Sequence, residues 1–278
     1  MWGTKFAFAS VRSAMPGLRV ITGLRHIPDS LGGGEVAAFT TLALAAADRL
    51  PGVTAFVVDG ALRGTAINTI QTQTGAIVVS PPRPKDLQHG GIMIAGKAHA
   101  YRILPESKSR IKAFSKCGGH NLWAAAGGIH ERIVTGDGSV HYEAVTRGQQ
   151  KRERHRDGTW AFYARHRLTC PETGEIHQWW EPLTATRGDD EVKFNRAEYL
   201  RAIPRDDPEY SRVYPMRADT ESLHAQLEYA FHKNRLPAWG IQRQTLVILF
   251  AAMAQNAWAL HVWQRETARQ QAPPGNVA

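Results

Sequence analysis

Two carboxylates of this chain stand where residue type and spacing point to chemistry. Asp59 follows the apolar run Val53–Val58 and precedes Gly60. A carboxylate directly after a buried strand lies at the sheet edge where α/β folds bind their ligands. Asp-Gly is also a common turn dipeptide, and on the local residues alone the turn is favoured. The second carboxylate belongs to the spacing Tyr214-x2-Arg217-x3-Glu221. Positions three and four apart are neighbours on a helix, so these three side chains share one side of a helix start, with Asp219 placed to cap or charge its first turn. An ordinary surface ion pair between Arg217 and Glu221, worth about 0.3–0.5 kcal/mol, fits the same spacing.

Two further groups carry weaker signals. Cys117 and Cys170 are too few for a disulfide framework. Cys117-x2-His120 and Cys170-x6-His177 contain the residue types of a zinc site, but their spacings match no common ligand pattern. The expectation is two reduced structural cysteines. The basic run from Arg147 to Arg156 includes Lys151, Arg152 and Arg154 and ends near Trp160. A run of this kind is either a solvated loop or a phosphate-tracking loop, with Trp160, Trp179 or Trp180 offering a stacking surface for a displaced base.

The elements that must position these residues follow from periodicity. Phe6–Arg12 and Leu18–His26 alternate as half-buried strands about a turn at Pro16-Gly17, which predicts a hairpin. A loop at Pro28–Gly34 leads to a helix over Glu35–Leu50, ended by Pro51-Gly52. Val53–Val58 and Ala76–Ser80 read as buried strands of the parallel type, joined by a short helix over Thr65–Thr74. Hairpin, helix, strand, helix, strand implies a mixed sheet with helices on its faces. From Arg83 to Arg187 short alternating stretches and turn signals such as Gly136-Asp137-Gly138 and Glu172-Thr173-Gly174 predict a β-rich insertion with hairpins. Helices return over Asp219–Arg235 and Gln242–Gln264, and the Pro- and Gly-containing tail from Ala268 is expected to be disordered.

Val57-Val58-Asp59-Gly60-Ala61-Leu62-Arg63-Gly64, followed far downstream by Tyr214-Pro215-Met216-Arg217-Ala218-Asp219-Thr220-Glu221, resembles the DDE transposases of bacterial insertion sequences. The similarity is to the branch with a Tyr-x2-Arg-x3-Glu signature and a β-strand insertion between the second and third acidic residues. Trp2–Phe6, Arg201-Ala202-Ile203-Pro204 and Asn256–His261 add to it, so that the resemblance spans about residues 2–265. It implies an α/β, RNase H-like mixed sheet flanked by helices, divided as core (1–82), β-rich insertion (83–187), C-terminal helical part of the core (188–266) and tail (267–278). It also implies two-metal catalysis with Mg²⁺ or Mn²⁺, cutting and joining DNA phosphodiesters, in which Asp59 matches the second metal carboxylate and Glu221 the third. Tyr214 and Arg217 match positions that hold phosphates near the transposon end, a task suited to a planar guanidinium. The implied partners are transposon-end and target DNA and a second copy of the chain, in a bacterial cytoplasm close to the nucleoid.

The sequence departs from that family in two places. The Lys usual seven positions after the Glu is replaced by Glu228, with Lys233 a turn and a half further on. The first Asp of the triad belongs on a strand preceding Phe6–Arg12, where the chain offers none, and Asp29 has a loop setting. The chain therefore reads as an N-terminally truncated transposase expected to perform little or no strand transfer alone. A non-enzymatic transposase remnant shares every one of these motifs, and an unrelated nucleic-acid-binding protein that uses the basic run is a third reading, preferred if Asp59 and Glu221 lie far apart in the fold.

Composition is consistent with a DNA partner. A net charge of +9 suits a polyanion, because each neutralised phosphate releases counterions. The apolar run Thr245–Ala254 is interrupted by Gln255 and Asn256, short of the ~20 residues of a membrane span. The N-terminus has no charged-then-apolar leader pattern. Both observations lead to the expectation of a cytoplasmic protein without a membrane partner.

Overall fold

A computed structural model describes residues 4–12, 15, 18–28, 34–85, 91–94, 96–231 and 237–271. The chain is a mixed α/β protein whose contacts gather into two compact units, Met1–Arg49 with Met216–Ala278, and Leu50–Pro215.

The first unit is built on the hairpin of β1 (Lys5–Arg12) and β2 (Arg19–Ile27). The strands pair antiparallel from Lys5↔Ile27 to Arg12↔Arg19, with an irregularity at Ala9/Ser10. Alternation directs Ala7 and Ile27 to one face, where Ala38 and Leu42 of α1 (Gly34–Arg49) cover them. On the hairpin's other face, Phe8 and Ile21 meet Leu223 of α7 (Ala218–Ala230) and Ala252 of α8 (Ile241–Gln271). Polar contacts fix the same packing. Asp219 accepts from Arg19 at 3.0 Å and pairs with Arg12 at 3.2 Å, while Ser10 bonds Thr220. Asp219 thus locks the start of α7 to the hairpin.

Asn256, in the middle of α8, acts as a short piece of strand. Its Oδ1 accepts the Ile21 N–H and its Nδ2 donates to the Ile21 carbonyl, both at 2.8 Å. The amide therefore satisfies both backbone groups of Ile21 on β2, as a residue of a neighbouring strand would. Among the described residues α8 is the one helix long and apolar enough to cross a membrane, and it extends beyond the apolar run read from the sequence. Its middle is committed to β2, although Phe250, Met253 and Trp258 remain exposed. It also runs through Ala268–Gln271, where composition suggests a disordered tail, because nothing before Pro273 breaks a helix. Residues 272–278 of that tail lie outside the described residues.

The second unit opens with a strand–helix–strand crossover: β3 (Ala55–Val57), α2 (Gly64–Thr74) and β4 (Ile77–Val79). β3 and β4 pair in parallel, Ala55↔Ile77 to Val57↔Val79, as their continuous apolar character predicts. Among the described residues they form a two-stranded sheet separate from β1–β2, rather than part of one larger mixed sheet.

The β-rich part follows. β5 (Ile92–Ile94) pairs with β6 (Lys97–His99). β7 (Tyr101–Ile103) leads to α3 (Lys108–Ala113), then β8 (Leu122–Ala125), β9 (Gly128–Val134) and β10 (Val140–Ala144), giving a sheet of order β10-β9-β8-β7. β11 (Thr146–Arg154), β12 (Trp160–Thr169) and β13 (Ile176–Pro182) make a three-stranded antiparallel sheet in that order. The hairpins predicted at Gly136–Gly138 and Glu172–Gly174 are those of β9–β10 and β12–β13. Short helices α4 (Arg187–Glu191), α5 (Arg196–Tyr199) and α6 (Pro208–Val213) complete the unit.

Leu122, Ile129, Phe162, Trp179, Leu183 and Phe194 form this unit's main core. Beside them lies a buried ionic network. Arg196 binds Asp189 through two parallel bonds, Nε to Oδ2 at 2.8 Å and Nη2 to Oδ1 at 2.7 Å, and reaches Glu181 Oε1 at 2.7 Å. The other oxygen of Glu181 accepts from Trp179 Nε1 at 2.9 Å and Arg110 Nη1 at 3.3 Å.

Candidate nucleic-acid and metal site

Asp59 stands where the strand reading puts it, one residue beyond the ladder that Val58 extends by donating to the Val79 carbonyl. Its carboxylate is exposed and accepts the Ala61 N–H at 2.9 Å. The turn and the strand-end readings are therefore both true of it: one oxygen shapes the turn, and the other remains available to a ligand.

Tyr214–Arg217 form one turn of 3-10 helix that runs into α7. Arg217 and Glu221 are an ion pair one helical turn apart, with the Glu221 side chain 58% exposed. Tyr214 stacks on Tyr210, rings 4.9 Å apart, and packs with Val79 and Ile203. Asp59 and Tyr214 thus belong to the second unit, and Arg217 and Glu221 to the first. Asp219 does not line a site; its two arginine partners occupy it. Glu228 lies on α7 beyond Glu221. Lys233, Asp29 and residues 1–3 lie outside the described residues.

The basic run is a strand rather than a loop. Lys151, Arg152 and Arg154 all lie on β11, and its register with β12 runs Lys151↔Tyr163, Arg152↔Phe162 and Arg154↔Trp160. A strand exposed on both faces carries no apolar alternation, which is why the sequence conceals it. Lys151 sits over the rings of Trp180 (4.8 Å) and Tyr163 (5.1 Å) and pairs with Glu153. Arg152 lies over Trp160 and donates to the Gly75 carbonyl at 2.7 Å. Arg154 is also over Trp160. Arg147, at the start of the run, is structural: it donates to the Arg201 and Ala202 carbonyls at 2.8 and 2.6 Å. Burial pushes its guanidinium down to about 10. Of the tryptophans considered for base stacking, Trp179 is buried and bonded to Glu181 and cannot serve. Trp160 and Trp180 are partly exposed.

Sequence reasoning missed a cationic cleft in the second unit. Arg63, Arg83, Arg102 and Lys193 line a space of about 510 Å³ together with Asn195, Glu198 and Tyr199. Four cations face one carboxylate, and that carboxylate is engaged: Glu198 Oε2 accepts the N–H of Gly64, the first residue of α2, at 2.7 Å. Lys193 is held in left-handed backbone (φ 52°), a conformation costing a non-glycine residue about 1–2 kcal/mol. Arg63 follows Asp59 by four residues. The other three cations come from separate segments, so no local pattern could have revealed the cleft.

Comparisons with protein-family models, with curated proteins and with solved structures each give no match to this chain.

Proposed function

We propose that this chain is the catalytic region of a DDE-type transposase with an RNase H-like core, acting on DNA phosphodiesters with Mg²⁺ or Mn²⁺. The observation that carries the reading is Asp59 at the carboxyl end of a strand in a parallel strand–helix–strand unit, the position where such sheets bind ligands, combined with the Tyr214/Arg217/Glu221 spacing.

Two features support it. Asp59 and Glu221 are exposed oxygen donors, the hard ligands that Mg²⁺ prefers. A divalent ion held there would activate a hydroxyl and stabilise the leaving oxygen at phosphate. Arg217 holds the Glu221 carboxylate in one orientation and is itself suited to a phosphate.

The cationic cleft and β11 supply the DNA contacts in this reading. Arg83→Ala with Arg102→Ala is expected to weaken binding of duplex DNA irrespective of sequence. The slope of log affinity against log salt should become shallower by about 0.9 for each phosphate left without its cation. Lys151→Ala with Arg154→Ala should do the same to a smaller extent, because both cations already lie over aromatic rings. Fluorescence anisotropy across a salt series measures both. Unchanged affinity and slope in both double variants would contradict a DNA-binding role for these surfaces.

A further inference from the structure

We propose that Cys117, His120, Cys170 and His177 form a closed, structural zinc site that staples the segment after α3 to the β12–β13 hairpin. Its test does not depend on the transposase reading. The four residues come from two knuckles. Cys117 and His120 flank Gly118-Gly119 between α3 and β8. Cys170 and His177 flank the turn joining β12 to β13. Gly119 (φ 94°) and Gly174 (φ 69°) take the left-handed conformations these reversals need. One donor atom from each residue lies within 4.8 Å of all the others. Zinc–sulfur bonds of about 2.3 Å and zinc–nitrogen bonds of about 2.0–2.1 Å set tetrahedral donors roughly 3.3–3.8 Å apart, so the group needs to draw in by about 1 Å.

The histidines supply an independent observation. His177 Nδ1 lies 2.8 Å from the carbonyl oxygen of Ala113. A carbonyl only accepts, so Nδ1 carries the proton, and neutral imidazole then has its lone pair on Nε2. His120 Nδ1 lies 2.6 Å from the Glu131 carboxylate and is placed in the same way. Both Nε2 atoms are buried with no hydrogen-bond partner. The His177 residue is 2% exposed and the His120 side chain 3%. A buried acceptor without a donor costs about 1–3 kcal/mol, and two of them facing two sulfurs call for one electrophile. A ligating histidine whose other nitrogen is held by a carboxylate or a carbonyl is the usual outer-shell arrangement of a zinc site.

Phe114 excludes water from one side. Its ring meets His120 at 4.8 Å and His177 at 5.0 Å, both edge-on. Lys116 and Glu175, each beside one knuckle, form an ion pair at 3.2 Å. Four protein ligands leave no open coordination position, so the site is structural rather than catalytic. Binding is Zn²⁺ plus two thiols giving the dithiolate complex, with two protons released. The two segments lie far apart in sequence, which is why spacing alone argues against zinc.

The full chain, purified from zinc-supplemented medium, should carry one zinc ion per chain by elemental mass spectrometry. After stripping under reducing conditions it should bind one Co²⁺ with the visible bands of a tetrahedral, thiolate-containing site. Cys117→Ser and Cys170→Ser should abolish both signals. Glu131→Gln retains all four ligands, so it tests the site even if a cysteine variant misfolds; it should keep the spectrum while weakening Co²⁺ about 10–100-fold. A folded wild-type chain with no zinc and no tetrahedral Co²⁺ spectrum would overturn the proposal, and so would a Cys117–Cys170 disulfide in freshly isolated protein.

Discussion

Glu181→Ala is expected to destabilise the second unit by about 3–5 kcal/mol. Glu181 is 0% exposed and takes hydrogen bonds from Arg196, Arg110 and Trp179. With Asp189 it balances two buried guanidinium groups by two carboxylates. Removing Glu181 leaves Arg110 with backbone carbonyls as its remaining partners, and Arg196 with Asp189 and the Pro182 carbonyl. Desolvation has already been met for each charge, so the uncompensated one is costly. Glu266→Ala, which breaks exposed pairs to Arg265 and Arg269, should change stability by no more than about 1 kcal/mol. Urea unfolding monitored by tryptophan fluorescence compares the two. A Glu181→Ala midpoint within error of wild type would rule out the network's role.

Acid should unfold the protein partly through His166. Both ring nitrogens of His166 are buried without partners, and the ring stacks on Trp179 at 5.6 Å. Burial first, then the neighbouring Arg147 and Arg110 charges, push its pKa from 6.5 down to about 3. The unfolded chain therefore binds this proton below about 6.5, whereas the folded chain does so only near 3. Between those values the unfolded state holds more protons, so stability is complete above about pH 6.5 and falls as pH drops. Each pH unit in the window costs up to about 1.4 kcal/mol, on the order of 5 kcal/mol across it. His99 and His130, lowered mainly by burial, act in the same direction. His166→Gln should flatten the pH dependence of the urea midpoint between about pH 6.5 and 4.5. An unchanged slope in that variant would show that His166 does not carry the proton linkage.

Much of the scaffold is legible in the sequence because local rules and tertiary packing agree. Continuous apolar runs mark β3 and β4 as parallel, and α2 closes at the Gly75 that ends its periodicity. The β9–β10 and β12–β13 hairpins turn where glycine-containing signals fall. The β11 strand is hidden because it is held by pairing to β12 and by cations resting on rings, which leave no apolar alternation to read. Trp179 passes for a stacking candidate because burial is not visible in an isolated Trp-Trp dipeptide. The cationic cleft and the Cys/His cluster are products of topology, each gathering side chains from segments far apart in sequence. Asp59 and Glu221 are legible as individual residues, since a strand end and a helix start are local features. Whether they cooperate is a non-local question, which the spacing of residues does not encode.

The transposase reading stands or falls on whether Asp59 and Glu221 share one divalent ion, and Mn²⁺ binding followed by electron paramagnetic resonance decides it. Manganese prefers oxygen ligands, so the thiolate cluster does not compete. If the ion is shared, Asp59→Asn and Glu221→Gln each weaken Mn²⁺ binding by more than about tenfold. The double variant then loses less than the two single losses combined, because ligands of one ion do not act additively. Glu228→Gln, on the same helix, should bind as wild type does. Wild-type Mn²⁺ affinity in either single variant, or losses that simply add in the double variant, would show that the two carboxylates do not hold a common metal.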